Sequence, residues 1–402
     1  MISTTDFLPY GRQSVDDDDV AAVVAVLSSD YLTTGPAVAA FEKAFADCVG
    51  ADHAVVVSSG GAALHLAALS LDLGPGDAAL VPSMTFVATA NAVRLAGADV
   101  IFTDVDPANG LMGPEQLEAA LSSYRGAARP RVALPVHLNG QPCDMVGIGE
   151  VARRHGLDLV EDACHALGGT VCGHSIGSGK TSRLAMFSGH PVKSIAMGEG
   201  GILTTDDGQL ATRLRRLASH GLTRDPADFV QPEMALDQAG NPNPWYYEQV
   251  EAGLNYRASD IHCALGLSQL AKLDRFVARR TELAARYDVL LAGLAPLLRP
   301  VSRVSWGESG WHLYAVQIDF DAVGMDRAAL IHGLRGAGIG SQVHYIPVHR
   351  QPYYRALYPD LDLPGADTYY AGCLSLPLFP AMADSDVDRV VEALTRLLPP
   401  SA

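Results

Sequence analysis

Apolar and polar positions follow two rhythms along the chain. Helical spacing marks Val20–Leu27 and Ala37–Phe45, and a short β-branched run, Ala54–Val57, comes next. That run ends in Ser58-Ser59-Gly60-Gly61 and gives way to the helix-like Ala62–Leu71. The alternation repeats as strand Ala79–Pro82, helix Val87–Leu95 and strand Val100–Thr103, closed by Asp104. It continues as strand Arg131–Val136, helix Val146–His155 and strand Leu157–Val160, which ends in Glu161-Asp162. Leu184–Phe187 and Gly201–Thr204 are two further strands. Strands alternating with helices predict parallel pairing in a sheet covered on both faces. Such sheets bind ligands at the carboxyl ends of their strands, which directs attention to Ser58-Ser59, Asp104, Asp162 and Ser188.

From Ser259 to Leu291 the pattern changes and predicts one long helix with a Ser259 cap. This helix joins a large domain, 1–265, to a small C-terminal domain, 266–402. The small domain carries strand Trp311–Asp319, helix Arg327–Ala337 and strand Ser341–Ile346, an α+β arrangement. The expected fold class is α/β, with a mostly parallel central sheet in the large domain.

Composition narrows the function. The 402 residues are 48% hydrophobic and 18% charged, which permits a large core and argues against wholesale disorder. A net charge of −16 argues against broad contact with nucleic acid or an anionic membrane. No apolar stretch is long enough to span a bilayer, and Met1 to Asp19 has no signal-peptide pattern. The six cysteines form no CxxC pair and fit no zinc spacing, so no metal site is expected. They read as reduced thiols of a cytoplasmic protein. Lysine is scarce: only Lys43, Lys180, Lys193 and Lys272 could serve chemistry that needs an amine.

Three constellations sit at strand ends. Ser58-Ser59-Gly60-Gly61 is either a tight βα turn or an anion cup at a helix start; it is not a GxGxxG dinucleotide motif. Asp162 is either a helix cap or a buried carboxylate facing a cationic ring nitrogen. Lys193 closes Ser188-Gly189-His190-Pro191-Val192-Lys193 ahead of Gly198-Glu199-Gly200-Gly201, and is either a solvated surface lysine or a reactive amine. Pyridoxal 5'-phosphate would use all three: a lysine, a carboxylate at the pyridinium nitrogen and a phosphate cup. Phe86 is either a core residue or the aromatic face for that ring.

These motifs resemble a known family, the sugar-nucleotide aminotransferases of the DegT type, which have the type I aminotransferase fold. The resemblance runs from Tyr31-Leu32-Thr33-Thr34-Gly35-Pro36 through Val81–Asn91, Glu161-Asp162-Ala163 and His190–Lys193 to Asn255-Tyr256-Arg257. Further stretches, among them Pro244–Glu248 and Val343–His349, resemble the branch that aminates C4 of a UDP-linked 4-keto-6-deoxy-N-acetyl sugar in pseudaminic acid synthesis.

The resemblance implies roles. Lys193 carries the cofactor and then shuttles the proton, Asp162 pairs with the ring nitrogen, and Phe86 and His165 flank the ring. Gly60, Gly61, Ser188 and the partner subunit's Asn255 hold the phosphate in a homodimer with shared sites. Thr33, Arg224, His344, Tyr345 and His349 contact substrate. The implied substrates are an amino-acid donor such as L-glutamate and a nucleotide-sugar acceptor. Gly61 and Gly189 stand where the family carries larger residues, and both are expected to enlarge the space around the cofactor. A different pyridoxal phosphate reaction, or a non-catalytic regulatory role, is the competing reading. The presence of both Lys193 and Asp162 argues against the regulatory one.

Overall fold

A computed structural model describes residues 7–399 of the chain. The first six residues of the N-terminal stretch lie outside the described residues. Seven strands form the central sheet: β1 (His53–Val57), β2 (Asp77–Pro82), β3 (Asp99–Thr103), β4 (Arg129–Ala133), β5 (Asp158–Asp162), β6 (Leu184–Ser188) and β7 (Gly201–Thr205). Their spatial order is β1-β7-β6-β5-β4-β2-β3. Pairing from β6 through β5, β4 and β2 to β3 is parallel, and β7 runs against both its neighbours. Most strand positions are buried, the exceptions lying at strand ends and in the first half of β4, as expected for a sheet with helices on both faces.

The direction of β7 matters for the site. Gly201, at its start, is in register with Val57 at the end of β1 and with Ser188 at the end of β6. The turn after β1 and the loop after β6 therefore meet at one edge of the sheet. A Cβ on Gly201 would lie 2.1 Å from the Ser59 carbonyl oxygen, so only glycine allows that approach.

Two buried clusters organise the described residues. One surrounds the central sheet, and residues between Val348 and Cys373 return to it. The other lies between helices Leu273–Leu291, Arg327–Gly336 and Asp384–Leu397 and a three-stranded antiparallel sheet. That sheet is β8 (Leu298–Pro300), β9 (Tyr314–Ile318) and β10 (Cys373–Leu376), with β9 in the middle. Among the described residues no helix is long and apolar enough to cross a membrane.

Two elements differ from the sequence pattern. The long helix from Ser259 is two helices, Asp260–Leu270 and Leu273–Leu291. Ser259 does cap the first, accepting from His262 N. The break falls where Gln269 bonds Asp19 and the Ser14 carbonyl, and where Lys272 pairs with Asp16 and Asp19. Tertiary ion pairing overrides local helix preference there. Ser341–Ile346 is not a strand. Its burial does not alternate as a strand's would: Gln342, His344 and Ile346 would share one strand face, yet His344 is buried and the other two are exposed, and within the segment only Gln342 makes a bridge, to Ser375. The rest of the segment turns toward the cavity described next.

Candidate active site

Strand ends and two loops enclose a cavity of about 560 Å³, a size suited to a small ligand. Asp162 ends β5 and is 5% exposed. Its Oδ2 accepts from Thr89 Oγ1 at 2.7 Å and its Oδ1 from Cys164 N at 3.2 Å. Thr89 Oγ1 lies 2.8 Å from Thr85 Oγ1, and because Thr89 gives its hydrogen to Asp162, Thr85 donates to Thr89. A two-threonine chain thus braces the carboxylate. The preceding Glu161 points to the other face, as strand alternation requires. It accepts from His137 Nε2 and Thr181 Oγ1, each at 2.7 Å, and burial is more than offset by these bonds, leaving its pKa lowered. His137 Nδ1 accepts from Cys143 N, so its ring proton sits on Nε2.

Lys193 lines the same cavity, half-buried, in the loop between β6 and β7. Burial pushes its amine below the ordinary lysine value, while Cys164 and Asp162 pull the other way. Helix Gly60–Ser70 begins at the cavity wall. Ser59 Oγ caps Ala62 N, and the first two amides of the helix, Gly60 and Gly61, stand at its positive end. Ser188 Oγ accepts from His190 N at 3.3 Å, which leaves its own hydrogen free to donate.

Phe86 is 57% exposed and lines the cavity, so it is not a core residue. The far wall is aromatic and neutral. Tyr345 OH and His165 Nε2 are 3.0 Å apart, and His165 and His312 rings lie 4.5 Å apart. Among the described residues, the Nδ1 atoms of both histidines are buried without partners. His344 Nδ1 bonds Ser375 Oγ at 2.9 Å. Burial lowers the pKa of all three histidines, with the Lys193 charge adding to it; His344 falls to about 3.

The cavity therefore brings together Gly60, Gly61, Phe86, Asp162, His165, Ser188, Lys193, His344 and Tyr345. It does not bring in Thr33, Arg224 or Asn255, which are exposed on the same chain. His349 is also absent from the lining; its Nδ1 is 2.6 Å from Ser83 Oγ and its other nitrogen faces Asp367. Asp104 serves structure, accepting from Gly365 N and Ala366 N at the start of helix Pro364–Gly372. Thr89 and His312 line the cavity, and the sequence reading gave neither a role. Thr85 and Thr89, four residues apart beside a strand end, carried a signal; His312, beside Trp311 in an apolar run, carried none.

The two glycines part company. A Cβ on Gly61 would meet nothing closer than Ser59 Oγ at 3.9 Å, so the space beside it is open. A Cβ on Gly189 would lie 2.5 Å from Met197 Sδ. That space is filled by methionine, and Gly189 does not enlarge the cavity.

The residues fit pyridoxal phosphate on these observations: an open glycine helix start with a free serine hydroxyl, a buried braced carboxylate, and a desolvated lysine across from it. An α/β fold with this site at its strand ends is that of a type I aminotransferase. The chain belongs to the DegT/DnrJ/EryC1/StrS aminotransferase family, whose model matches residues 13–395. It is 40% identical over 391 residues to the spore coat polysaccharide biosynthesis protein SpsC of Bacillus subtilis (strain 168), covering 96% of both chains. Its structure is similar to Helicobacter pylori PseC, an aminotransferase involved in the biosynthesis of pseudoaminic acid (TM-score 0.86, 25% identity, 98% of this chain and 99% of that one). It is also similar to the putative sugar aminotransferase Spr1654 of Streptococcus pneumoniae, solved in a PLP-form and a PMP-form. For the PLP-form the TM-score is 0.84 at 26% identity, over 98% of this chain and all of that one.

Proposed function

We propose that the protein moves an amine from an amino acid, L-glutamate, to C4 of a nucleotide-linked 4-keto-6-deoxy sugar, with pyridoxal 5'-phosphate carried on Lys193. The observation behind this reading is the shared cavity of Lys193, Asp162 and the Gly60 helix start. When bound, the cofactor supplies an electron sink for proton transfer at the amine-bearing carbon. Asp162 fixes a negative charge in the cavity, which keeps a facing ring nitrogen protonated. The threonine chain holds that carboxylate in place. Gly60 and Gly61 amides and the Ser188 hydroxyl bind phosphate. The desolvated Lys193 amine gives up its proton more readily than an exposed lysine, so it serves as nucleophile and then as the base that moves the proton. Phe86 and Tyr345, with ring centroids 5.8 Å apart, offer aromatic surface to a bound ring.

The acceptor side rests on the far wall. Tyr345, His344, His165 and His312 offer hydrogen bonds without charge, which suits sugar hydroxyls. No arginine lines the cavity among the described residues. An arginine fork for the glutamate donor's carboxylate would then come from the partner's rim, where Arg224 is the candidate. The first acceptor to test is the UDP-linked N-acetyl sugar of pseudaminic acid synthesis.

The reading extends to a homodimer. The partner's Asn255 would complete the phosphate cup, and its Thr33 and Arg224 the substrate rim. Exposed Val20, Val24, Leu27, Tyr31 and Leu32 form an apolar face next to Thr33, which supports this. His349 has no part in the substrate wall. Six unpaired thiols fit a cytoplasmic enzyme.

The test incubates purified holoenzyme with glutamate and a panel of UDP- and dTDP-4-keto sugars, and weighs the products. A mass gain for amine in place of ketone is expected. Glutamate alone should convert the cofactor to its pyridoxamine form, which elimination or dehydration chemistry does not accumulate. If a simple keto acid turns over far better than every nucleotide sugar, the acceptor assignment is wrong.

A further inference from the structure

Arg280 lies in helix Leu273–Leu291 and is 2% exposed. Its neighbour Arg279 behaves as a surface arginine, pairing with Glu282 at 2.9 Å and Asp384 at 2.7 Å. Arg280 faces the opposite way, into the protein. It forms no ion pair with a carboxylate among the described residues, and its Nε and Nη1 are buried without partners. Among the described residues its one side-chain hydrogen bond runs from Nη2 to the main-chain carbonyl of Lys193, at 3.2 Å. Its charge adds a minor part to the lowered pKa of His312, a residue of the cavity lining, behind burial and the Lys193 charge.

An unpaired guanidinium in the interior is costly to folding, and an apolar side chain of similar length would avoid the cost. What Arg280 touches explains its presence. Lys193 N donates to His190 O at 2.9 Å, closing a turn, and Ala196 N donates to Gln269 Oε1 at 3.3 Å. The loop is thus tied on either side of Lys193, and among the described residues the Lys193 carbonyl itself is held only by Arg280. We propose that Arg280 is a positioning residue: clamping this carbonyl, it fixes the direction in which the Lys193 amine enters the cavity. The proposal rests on the reading of Lys193 as the cofactor-carrying residue.

The experiment compares wild type, Lys193→Ala, Arg280→Met and Arg280→Lys. In the cofactor-free proteins, hydrogen exchange across residues 189–197 and thermal unfolding are measured. In the cofactor-loaded proteins, the pH midpoint of the visible band, kcat and KM for glutamate are measured. Arg280→Met should unfold at the wild-type temperature or above it, because a buried unpaired cation is gone. Its 189–197 amides should exchange faster, the midpoint of the band should move, and kcat should fall by about tenfold to a hundredfold with KM little changed, the range a misplaced reacting group costs. Arg280→Lys, which keeps a cation and a donor but lacks the fork, should fall between. If Arg280→Met does not fold, Arg280→Lys decides alone on the same readouts.

Wild-type loop exchange, or kcat within about twofold of wild type, overturns the proposal. So does a large loss of thermal stability with the band midpoint unmoved, since that is a structural role. If Lys193→Ala keeps the visible band, the cofactor reading falls and this proposal with it. If Lys193→Ala loses the band while the Arg280 variants match wild type, the Arg280 proposal alone falls.

Discussion

The inner wall of the cavity and its outer rim are built in different ways. The inner wall stands on the ends of β5 and β6, the start of helix Gly60–Ser70 and the loop between β6 and β7. One chain assembles it, and its polar groups are buried or half-buried, with Asp162 braced by Thr89. The rim residues Thr33, Arg224 and Asn255 are exposed and outside the cavity of their own chain. Asn255 makes a main-chain bridge to Ser219, and Arg224 lies over the Tyr247 ring at 5.5 Å. From this difference we propose that the chemistry belongs to one chain, whereas phosphate and substrate capture need two.

The strongest attack on the inner wall is Lys193→Ala, which should abolish transamination. Borohydride reduction of the wild type should fix the cofactor to a peptide containing Lys193. Label found on Lys180 instead would refute the assignment; that side chain is exposed and paired with Asp206 at 2.7 Å.

Asp162→Asn comes next. It keeps the shape and the Thr89 contact but removes the charge. Cofactor binding should survive, while the rate falls by about a hundredfold to a thousandfold, as loss of a key electrostatic group does. Activity within a few-fold of wild type would show that the carboxylate does not tune the ring.

The rim is tested by mixing. Lys193→Ala and Asn255→Ala chains, each inactive alone, are unfolded together and refolded. Half the dimers are then mixed, and one of the two sites in each has both groups intact. Recovery of about a quarter of wild-type activity is expected from an isologous two-fold assembly. No recovery, with mixed dimers demonstrated, would return the phosphate cup to a single chain.

The sequence made the inner wall readable because each part is a local pattern. A β-branched run ending in Ser-Gly-Gly, or an apolar run ending in Glu-Asp, places its polar end at the sheet edge by alternation alone. Lys193 stood out by scarcity. Distant partners left no such mark. Thr89 reaches Asp162 from a separate helix, and Arg280 reaches Lys193 across 87 positions. Gly189 looked like empty space until Met197 was seen to fill it. Helices Gly208–Ala218 and Asp384–Leu397 are a different matter. Leu210, Leu214 and Leu217, or Val387, Val390, Val391 and Leu394, carry clear helical spacing, so both helices are legible in the sequence although neither bears on the site.

The smallest effect is the acid sensitivity of the inner wall. His344 is 7% exposed, and burial, with the Lys193 charge second, lowers its pKa to about 3. In the unfolded chain its ordinary value is ~6.5. Between these values the unfolded chain binds a proton that the folded chain refuses. Stability is therefore lost as pH falls through that window, at up to about 1.4 kcal/mol per pH unit, and the group adds nothing above it. His165 and His312, lowered by burial in the same direction, steepen the loss. His344→Gln can keep a hydrogen bond to Ser375 without titrating. Urea unfolding of the cofactor-free proteins at pH 7.5 and pH 5 measures the gap between wild type and variant. The wild type should lose up to about 2 kcal/mol relative to the variant at the lower pH. A gap that does not change with pH would mean that His344 titrates in the fold as it does in water, and that the wall is open to solvent like the rim.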